Sequence, residues 1–225
     1  MEITPIANIR NDYSDKFGVP RQSGLVDCVI SAIVFRDGFR DASALRGIEN
    51  FSHLWLIWEF SENEDRGWSP TVRPPKLGGN KRVGVFATRS PYRPNPLGLS
   101  CVRLERVAAE KGLGTVLYVS GADLLDGTPI YDIKPYISYS DRIDGASCGF
   151  AEEHKDDAVG VSFPDALAAR LPAEKREAVV KMLSRDPRPA YQNDPDRIYG
   201  LRFGGFEIKF RVDGDLLTVV DVKEA

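Results

Sequence analysis

Short apolar runs rich in β-branched and aromatic residues recur along residues 5–125: PIANIR, LVDCVISAIVF, HLWLIWEF, RVGVFAT, SCVRLERVAA and TVLYVSGADLL, set apart by Gly, Pro, Asp or Asn. That texture predicts strands joined by turns. None of the runs is long or periodic enough for a helix, and no helical stretches alternate with them. The pattern therefore argues against a parallel α/β sheet and for a mainly β, antiparallel barrel or sandwich. DASALRGIENF is the one short helix expected in this part. From ISYSDRIDGASCGFAEEHKDDAVGV the residues become small, polar and acidic, which predicts a domain edge near Asp141.

Past that edge, FPDALAARLPAEKREAVVKMLSR holds good helix formers, with Asp165 as a candidate N-cap, Leu167, Leu171, Val179, Val180 and Leu183 as apolar positions, and Pro172 splitting the run. FEIKFRVDGDLLTVVDV alternates apolar and polar residues on both sides of Asp213 and Gly214, which predicts a hairpin. The expected organisation is a β-barrel domain over 1–141 and a small α+β domain over 142–225.

Charge changes the picture at one place. The chain of 225 residues has 42% apolar content and a net charge of -3, so no global positive field draws in a polyanion. Yet no carboxylate side chain occurs between Asp65 and Glu105, although Asp and Glu together number 33. Within that gap Arg73 to Ser100, RPPKLGGNKRVGVFATRSPYRPNPLGLS, carries five Pro, four Gly and six Lys or Arg in 28 residues. The plain reading is a solvated basic face; the sharper one is a rigid loop that binds an anion or anionic polymer.

Ready-made catalytic signatures are missing: there is no P-loop, no G-x-S-x-G, no H-E-x-x-H and no C-x-x-C. The two histidines, His53 and His154, read as a satisfied strand-start residue and a solvated one, so no metal site is expected. GLGTVL at 112–117 imitates a dinucleotide fingerprint but precedes a strand, and reads as a turn. Cys28, Cys101 and Cys148 are widely spaced and read as buried thiols in a reducing cytosol. The N-terminal residues show no signal-peptide pattern and no run approaches a membrane span, so a cytoplasmic protein is expected. GADLLDGTPIYDIKPYI, residues 121–137, places Asp123, Asp126 and Asp132 among apolar residues around an Asp-Gly turn. These carboxylates are turn formers or face a cationic or polar ligand.

Taken together, VPRQSG, LRGIENFSHLWLIWEF, the 73–100 stretch and DLLDGTPIYDIKPY resemble, in order, the motif blocks of the TsaA-like family of tRNA methyltransferases. DPRPAYQ and the hairpin after it resemble the smaller C-terminal domain of its bacterial members. The resemblance implies a β-barrel enzyme that uses S-adenosylmethionine to methylate the exocyclic nitrogen of threonylcarbamoyl-adenosine beside a tRNA anticodon, working as a homodimer. It further implies that the cofactor is lined by Pro20, Arg21, Gln22, Ser61, Glu62, Arg89, Leu99, Asp126, Gly127, Thr128 and Pro129. Ser61 and Glu62 depart from the usual family pattern. Arg73, Lys76, Lys81, Arg82 and Arg93 are then expected to face RNA phosphates. A base that removes the acceptor proton is sought among Asp132, Tyr131 and Tyr13, with none preferred. On this allocation, removing residues after Asp141 should spare cofactor binding and weaken tRNA methylation. The rival reading is a non-catalytic RNA-binding barrel; a transferase or hydrolase acting on a nucleotide phosphate is a third.

Overall fold

The computed structural model describes residues 2–62, 67–74, 77, 81–155, 157–188, 192 and 194–225. Six antiparallel strands form the main sheet: β1 Ala7–Arg10, β2 Ile30–Phe35, β3 His53–Glu59, β6 Leu97–Glu110, β7 Gly114–Ser120 and β8 Pro129–Pro135. A two-stranded ribbon, β4 Thr71–Val72 with β5 Val83–Gly84, lies between β3 and β6 in the chain. In the main sheet the order is β1-β2-β7-β6-β3-β8, and β8 pairs back onto β1 through Ala7 with Ile130 and Asn8 with Pro129. The sheet therefore closes on itself and leaves no edge strand unpaired.

Period-two alternation decides what lies inside. In β3, Leu54, Leu56 and Trp58 are buried while His53, Trp55, Ile57 and Glu59 face outward. With Ile9, Ile33, Val102, Leu117, Val119, Leu124 and Ile130 the inward residues fill the interior. Close packing is tightest where Trp58 pairs with Gly98: a Cβ on Gly98 would sit 2.3 Å from the indole. Only glycine fits there.

The C-terminal part has its own core. Strands β10 Tyr199–Phe203, β11 Phe206–Asp213, β12 Leu216–Glu224 and the short parallel β9 Gly160–Ser162 form a sheet in the order β10-β11-β12-β9. A four-residue helix Asp165–Ala168 and the longer Ala173–Ser184 are divided at Pro172, whose fixed φ suits a helix start. Ala178, Val179, Met182 and Leu183 of the longer helix are buried in the same core as Leu201, Phe203, Ile208, Phe210, Val212, Leu217, Val219 and Val222. Tyr13, Val26 and Val29, from the long connection between β1 and β2, are buried in this second core rather than the first.

Several expectations need correction. LVDCVISAIVF is a strand only from Ile30. RVGVFAT yields the two-residue β5 and then a 3₁₀ turn at Val85–Ala87, because the ribbon partner is itself only two residues long. DASALRGIENF forms two 3₁₀ turns, Ala42–Leu45 and Ile48–Asn50, interrupted by the left-handed Gly47. PIYDIKP, not among the expected strands, is β8, whose prolines stand at the two strand ends where a missing N–H is tolerated. The residue that caps Asp165–Ala168 is Pro164, with Asp165 inside the first turn. Cys148 is exposed, while Cys28 and Cys101 are half-buried and their thiols titrate above the usual value through desolvation.

Candidate functional site

The segment from Asn11 to Val29 leaves the sheet and ties together parts of the chain that are remote in sequence. At its start, Asn11 N donates to Asp126 Oδ1 (2.9 Å), Asn11 Nδ2 donates to the Leu124 carbonyl (3.0 Å) and Asp126 N donates to the Tyr13 carbonyl (2.8 Å). Gly127, at φ 81°, allows the Asp-Gly turn that these bonds hold, and its N–H bonds the Ile9 carbonyl. Lys16 Nζ reaches the Glu62 carbonyl (3.0 Å) and lies 3.5 Å from its carboxylate. Arg21 Nη2 donates to the carbonyls of Asp186 (3.1 Å) and Arg188 (3.0 Å). Gln22 Oε1 accepts from Arg89 Nη1, and Gly24 N bonds the Gly121 carbonyl. Further ion pairs, Asp12 with Lys175 and Asp27 with Lys181, fasten the segment to the C-terminal helix.

Asp123 stands at the centre of this junction. Trp58 Nε1 donates to Ser100 Oγ (2.8 Å), which in turn donates to Asp123 Oδ1 (2.5 Å), so one hydroxyl serves as acceptor and donor. The Ser23 N–H also bonds the carboxylate, and Arg89 is the nearby cation. Burial nevertheless raises its pKa above the usual carboxylate value, outweighing those favourable contacts. Asp123 thus contacts the immediate neighbours of two expected cofactor residues, Ser23 after Gln22 and Ser100 after Leu99, and stands near a third, Arg89. Sequence reading offered this carboxylate as a turn former or a ligand-facing group and did not count it among the cofactor residues.

A carboxyl whose folded pKa is raised favours folding while protonated, and its ionisation costs stability as pH rises through the folded value. Asp123→Asn removes that cost. We expect the variant to melt at or above the wild-type temperature at about pH 8, with the difference shrinking as pH falls and the wild-type group protonates. Cofactor affinity should drop by about tenfold or more, because Arg89 loses its counter-charge and the charge-assisted bonds go with it. Melting curves against pH together with cofactor titration check both halves.

Of the residues expected to line a cofactor, Gln22 and Arg89 meet directly, and the turn of Asp126, Gly127, Thr128 and Pro129 is held by the same segment that carries Pro20, Arg21 and Gln22. Glu62 is tethered to it through Lys16, with Ser61 its neighbour in the chain. Leu99 stands apart: it is 57% exposed on the outside of the sheet, while Ser100 points inward to Asp123. Among the base candidates, Tyr13 must be set aside. It is fully buried against Phe203 with its hydroxyl unpartnered, and desolvation pushes its pKa far above the ordinary phenol value. Tyr131 donates to the Glu59 carboxylate, and Asp132 is bonded to Lys134 (3.0 Å) and the Ile133 N–H (2.9 Å).

Of the expected phosphate contacts, Arg73, Lys81 and Arg82 are exposed, with Arg82 Nε on Thr71 Oγ1 (2.8 Å). Lys76 lies outside the described residues. Arg93 is half-buried, and Nη1 is spent on the carbonyls of Thr88 (2.7 Å) and Val85 (3.4 Å), which makes it a brace of its own loop. Sequence reading missed a second basic surface. An open cavity of about 610 Å³ beside Asp126 and Gly127 is bordered by Arg10, Arg36 and Arg40. Asn8 links the turn to this surface, donating to the Gly127 carbonyl and accepting from Arg36 Nε. Among the described residues no group of three or more His, Cys, Asp or Glu is placed to hold a metal ion, and no helix is long and apolar enough to cross a membrane.

The sequence profile of the tRNA-methyltransferase O N-terminal domain matches residues 8–142, and that of the TrmO C-terminal domain matches residues 156–225. The chain is 40% identical over 215 residues to the Escherichia coli (strain K12) tRNA (adenine(37)-N6)-methyltransferase, covering 92% of this chain and 91% of that protein. It is 38% identical over 231 residues to a Pseudomonas aeruginosa protein provisionally assigned as an S-adenosylmethionine-dependent methyltransferase, covering 98% and 96%. The crystal structure of TrmO from Pseudomonas aeruginosa superposes with a TM-score of 0.77 at 33% identity, covering 99% of this chain and 98% of that one. Two matched profiles that between them take in both hydrophobic cores, and a solved relative of nearly equal extent, lead to one conclusion: the chain belongs to the TrmO family.

Proposed function

We propose that this chain transfers the methyl group of S-adenosylmethionine to the exocyclic nitrogen of threonylcarbamoyl-adenosine beside a tRNA anticodon, and that it works as a homodimer in the cytoplasm. The closed sheet serves as the β-barrel that such a family implies. The observation that carries the reading is the meeting of Gln22, Arg89, Asp123 and the 126–129 turn through one segment, Asn11 to Val29.

The residues suit the cofactor. Its amino-acid end needs a planar donor for a carboxylate, which Arg89 offers; Gln22 adds an amide, and Asp123 a negative charge behind them. When bound, S-adenosylmethionine supplies a methyl group on a cationic sulfur. Transfer of that methyl to nitrogen dissipates charge, so the residues contribute mainly by fixing donor and acceptor in line. Pro91, Pro94 and Pro96 stiffen the loop that bears Arg89, and Arg93 ties it down from within. The acceptor nitrogen must shed a proton. Tyr131, already hydrogen-bonded to Glu59, supports this role better than Asp132, whose oxygens are occupied by Lys134 and the Ile133 amide.

The homodimer is supported by the outer face of β6, where Leu97 and Leu99 are exposed. Leu99 pairs with Ile57, and Ile57 with Asp132 on its other side, so this apolar strip borders the residues proposed to take the proton. A second copy covering the strip would enclose Leu99 with the cofactor. Exposed Arg73, Lys81 and Arg82, and Arg10 and Arg36 at the cavity, would meet RNA phosphates. Residues 142–225 then both brace the 11–29 segment and contact the tRNA.

Calorimetric titration tests the reading against the non-catalytic alternative. The protein should bind S-adenosylmethionine and its demethylated product with affinities within about tenfold, and chelator should leave both unchanged. Binding of tRNA without any heat from S-adenosylmethionine would favour an RNA-binding barrel that does no chemistry.

A further inference from the structure

The ribbon of β4 and β5 presents two large aromatic side chains to solvent. Trp68 is 55% exposed and Phe86 73% exposed. Their positions follow from the ribbon register. Thr71 pairs with Gly84, and the next rung outward is the bond from Val85 N to the Pro70 carbonyl (3.0 Å). Two residues beyond Pro70 stands Trp68, and one beyond Val85 stands Phe86. Both therefore lie just beyond the same end of the ribbon, Trp68 before β4 and Phe86 in the 3₁₀ turn after β5.

The surroundings decide what such a pair suits. Single exposed apolar residues are ordinary on a protein surface. Here two aromatics share one end of a ribbon inside the stretch between Asp65 and Glu105 that has no carboxylate. The guanidinium of Arg93 lies 5.9 Å from the centre of the Phe86 ring. Its Nη1 is bonded to the carbonyls of Val85 and Thr88, the residues flanking Phe86 and Ala87, so charge and ring are fixed relative to each other. On the opposite strand, Ser69 N bonds the Tyr92 carbonyl (3.4 Å), which draws the Trp68 segment toward the same loop. Flat apolar faces on a stretch of chain that carries fixed positive charge and no acid are complementary to a polymer that has flat bases and negative linkers.

We infer that Trp68 and Phe86 form a stacking platform for unpaired bases of the RNA substrate, with Arg93 setting the Phe86 ring in place. This rests on the tRNA-methyltransferase reading above. The chemistry differs from that of the basic residues nearby. Stacking tolerates any base and depends little on salt, whereas phosphate contacts weaken steeply as salt rises. The platform therefore adds affinity for single-stranded loops over duplex, which a charged surface alone does not distinguish.

The test uses the full-length chain and unfractionated bacterial tRNA, with binding followed by intrinsic tryptophan fluorescence and by filter retention at several salt concentrations. Wild type should bind tRNA with quenching, and Trp68→Phe should bind almost as well while losing most of the quench, since the other two tryptophans, Trp55 and Trp58, lie on β3. Trp68→Ala and Phe86→Ala should each weaken binding by at least about fivefold with an unchanged salt slope and unchanged S-adenosylmethionine affinity. Unstructured oligoadenylate should displace the tRNA and polyglutamate should not. Equal affinity for wild type, Trp68→Ala and Phe86→Ala would overturn the platform, as would an undiminished quench in Trp68→Phe. Displacement by polyglutamate alone would mark the surface as a protein site. Failure of the wild type itself to bind tRNA would instead count against the functional reading on which the platform rests.

Discussion

A chain cut after Asp141 should lose cofactor binding outright. On sequence alone the opposite is expected, because every motif of the expected cofactor site precedes that residue. The structure shows why position in the chain misleads. Tyr13, Val26 and Val29 are buried against the C-terminal core, and Arg21, Asp12 and Asp27 are bonded to residues of that part. Buried apolar side chains of this size are worth about 1.5–3 kcal/mol each, so cutting away their partners removes on the order of 5 kcal/mol from the segment. Its remaining anchors, the bonds to Gly121, Leu124, Asp126, Asp123, Arg89 and Glu62, are single hydrogen bonds or an exposed ion pair worth about 1 kcal/mol net apiece. The segment should then detach and carry Gln22 away from Arg89. Expression of residues 1–141, proton NMR to establish whether the closed sheet persists, and titration with S-adenosylmethionine provide the check. Retained folding with retained affinity would show that the C-terminal part does not brace the site.

The second large effect concerns one hydrogen atom. Replacing Gly98 by Ala places a methyl 2.3 Å from Cε2 of Trp58, which stands opposite on β3. The indole must move, and overpacking of this kind costs about 1–3 kcal/mol. Because Trp58 Nε1 donates to Ser100 Oγ, the hydroxyl that in turn donates to Asp123, the displacement also leaves the buried indole N–H short of its acceptor, at about 1–3 kcal/mol more. We expect a total loss of about 3–5 kcal/mol, a fall in melting temperature of roughly 10 °C, and weaker cofactor binding. Gly84→Ala is the matched control, since the space around Gly84 is open and its backbone is extended at φ -60°. Similar melting temperatures for the two variants would contradict the role given to Trp58.

What could be read from the residues depended on how local the controlling interaction was. The β-branched and aromatic run HLWLIWE identified β3 without help, and the Asp213–Gly214 turn and the break at Pro172 were equally local. RVGVFAT failed because strand propensity does not report the length of the partner: Val83 and Gly84 find only Thr71 and Val72 opposite. LVDCVIS failed differently. Val26 and Val29 are indeed buried, but hydrophobicity does not say in which of two cores. The pairing of Gln22 with Arg89, 67 residues apart, has no local signal; resemblance to a family named both residues, and the fold brought them together. Asp123 was visible as an acid among apolar neighbours, yet its partners Ser100 and Ser23 became evident only through the register of β6 and the path of the 11–29 segment. Tyr13 shows the converse error: a tyrosine beside polar residues in sequence is, in the fold, sealed in a core.

The central claim is methyl transfer to a modified adenosine, and product analysis addresses it most directly. Wild type and Arg89→Lys would be incubated with S-adenosylmethionine and tRNA bearing threonylcarbamoyl-adenosine beside the anticodon, followed by digestion and mass spectrometry of the nucleosides. The account predicts a gain of one methyl group on that nucleoside with wild type, none on tRNA lacking the threonylcarbamoyl group, and a strongly reduced yield with Arg89→Lys, whose ammonium cannot reproduce the planar fork. An unmethylated nucleoside after prolonged incubation with wild-type protein that binds both tRNA and S-adenosylmethionine would contradict it.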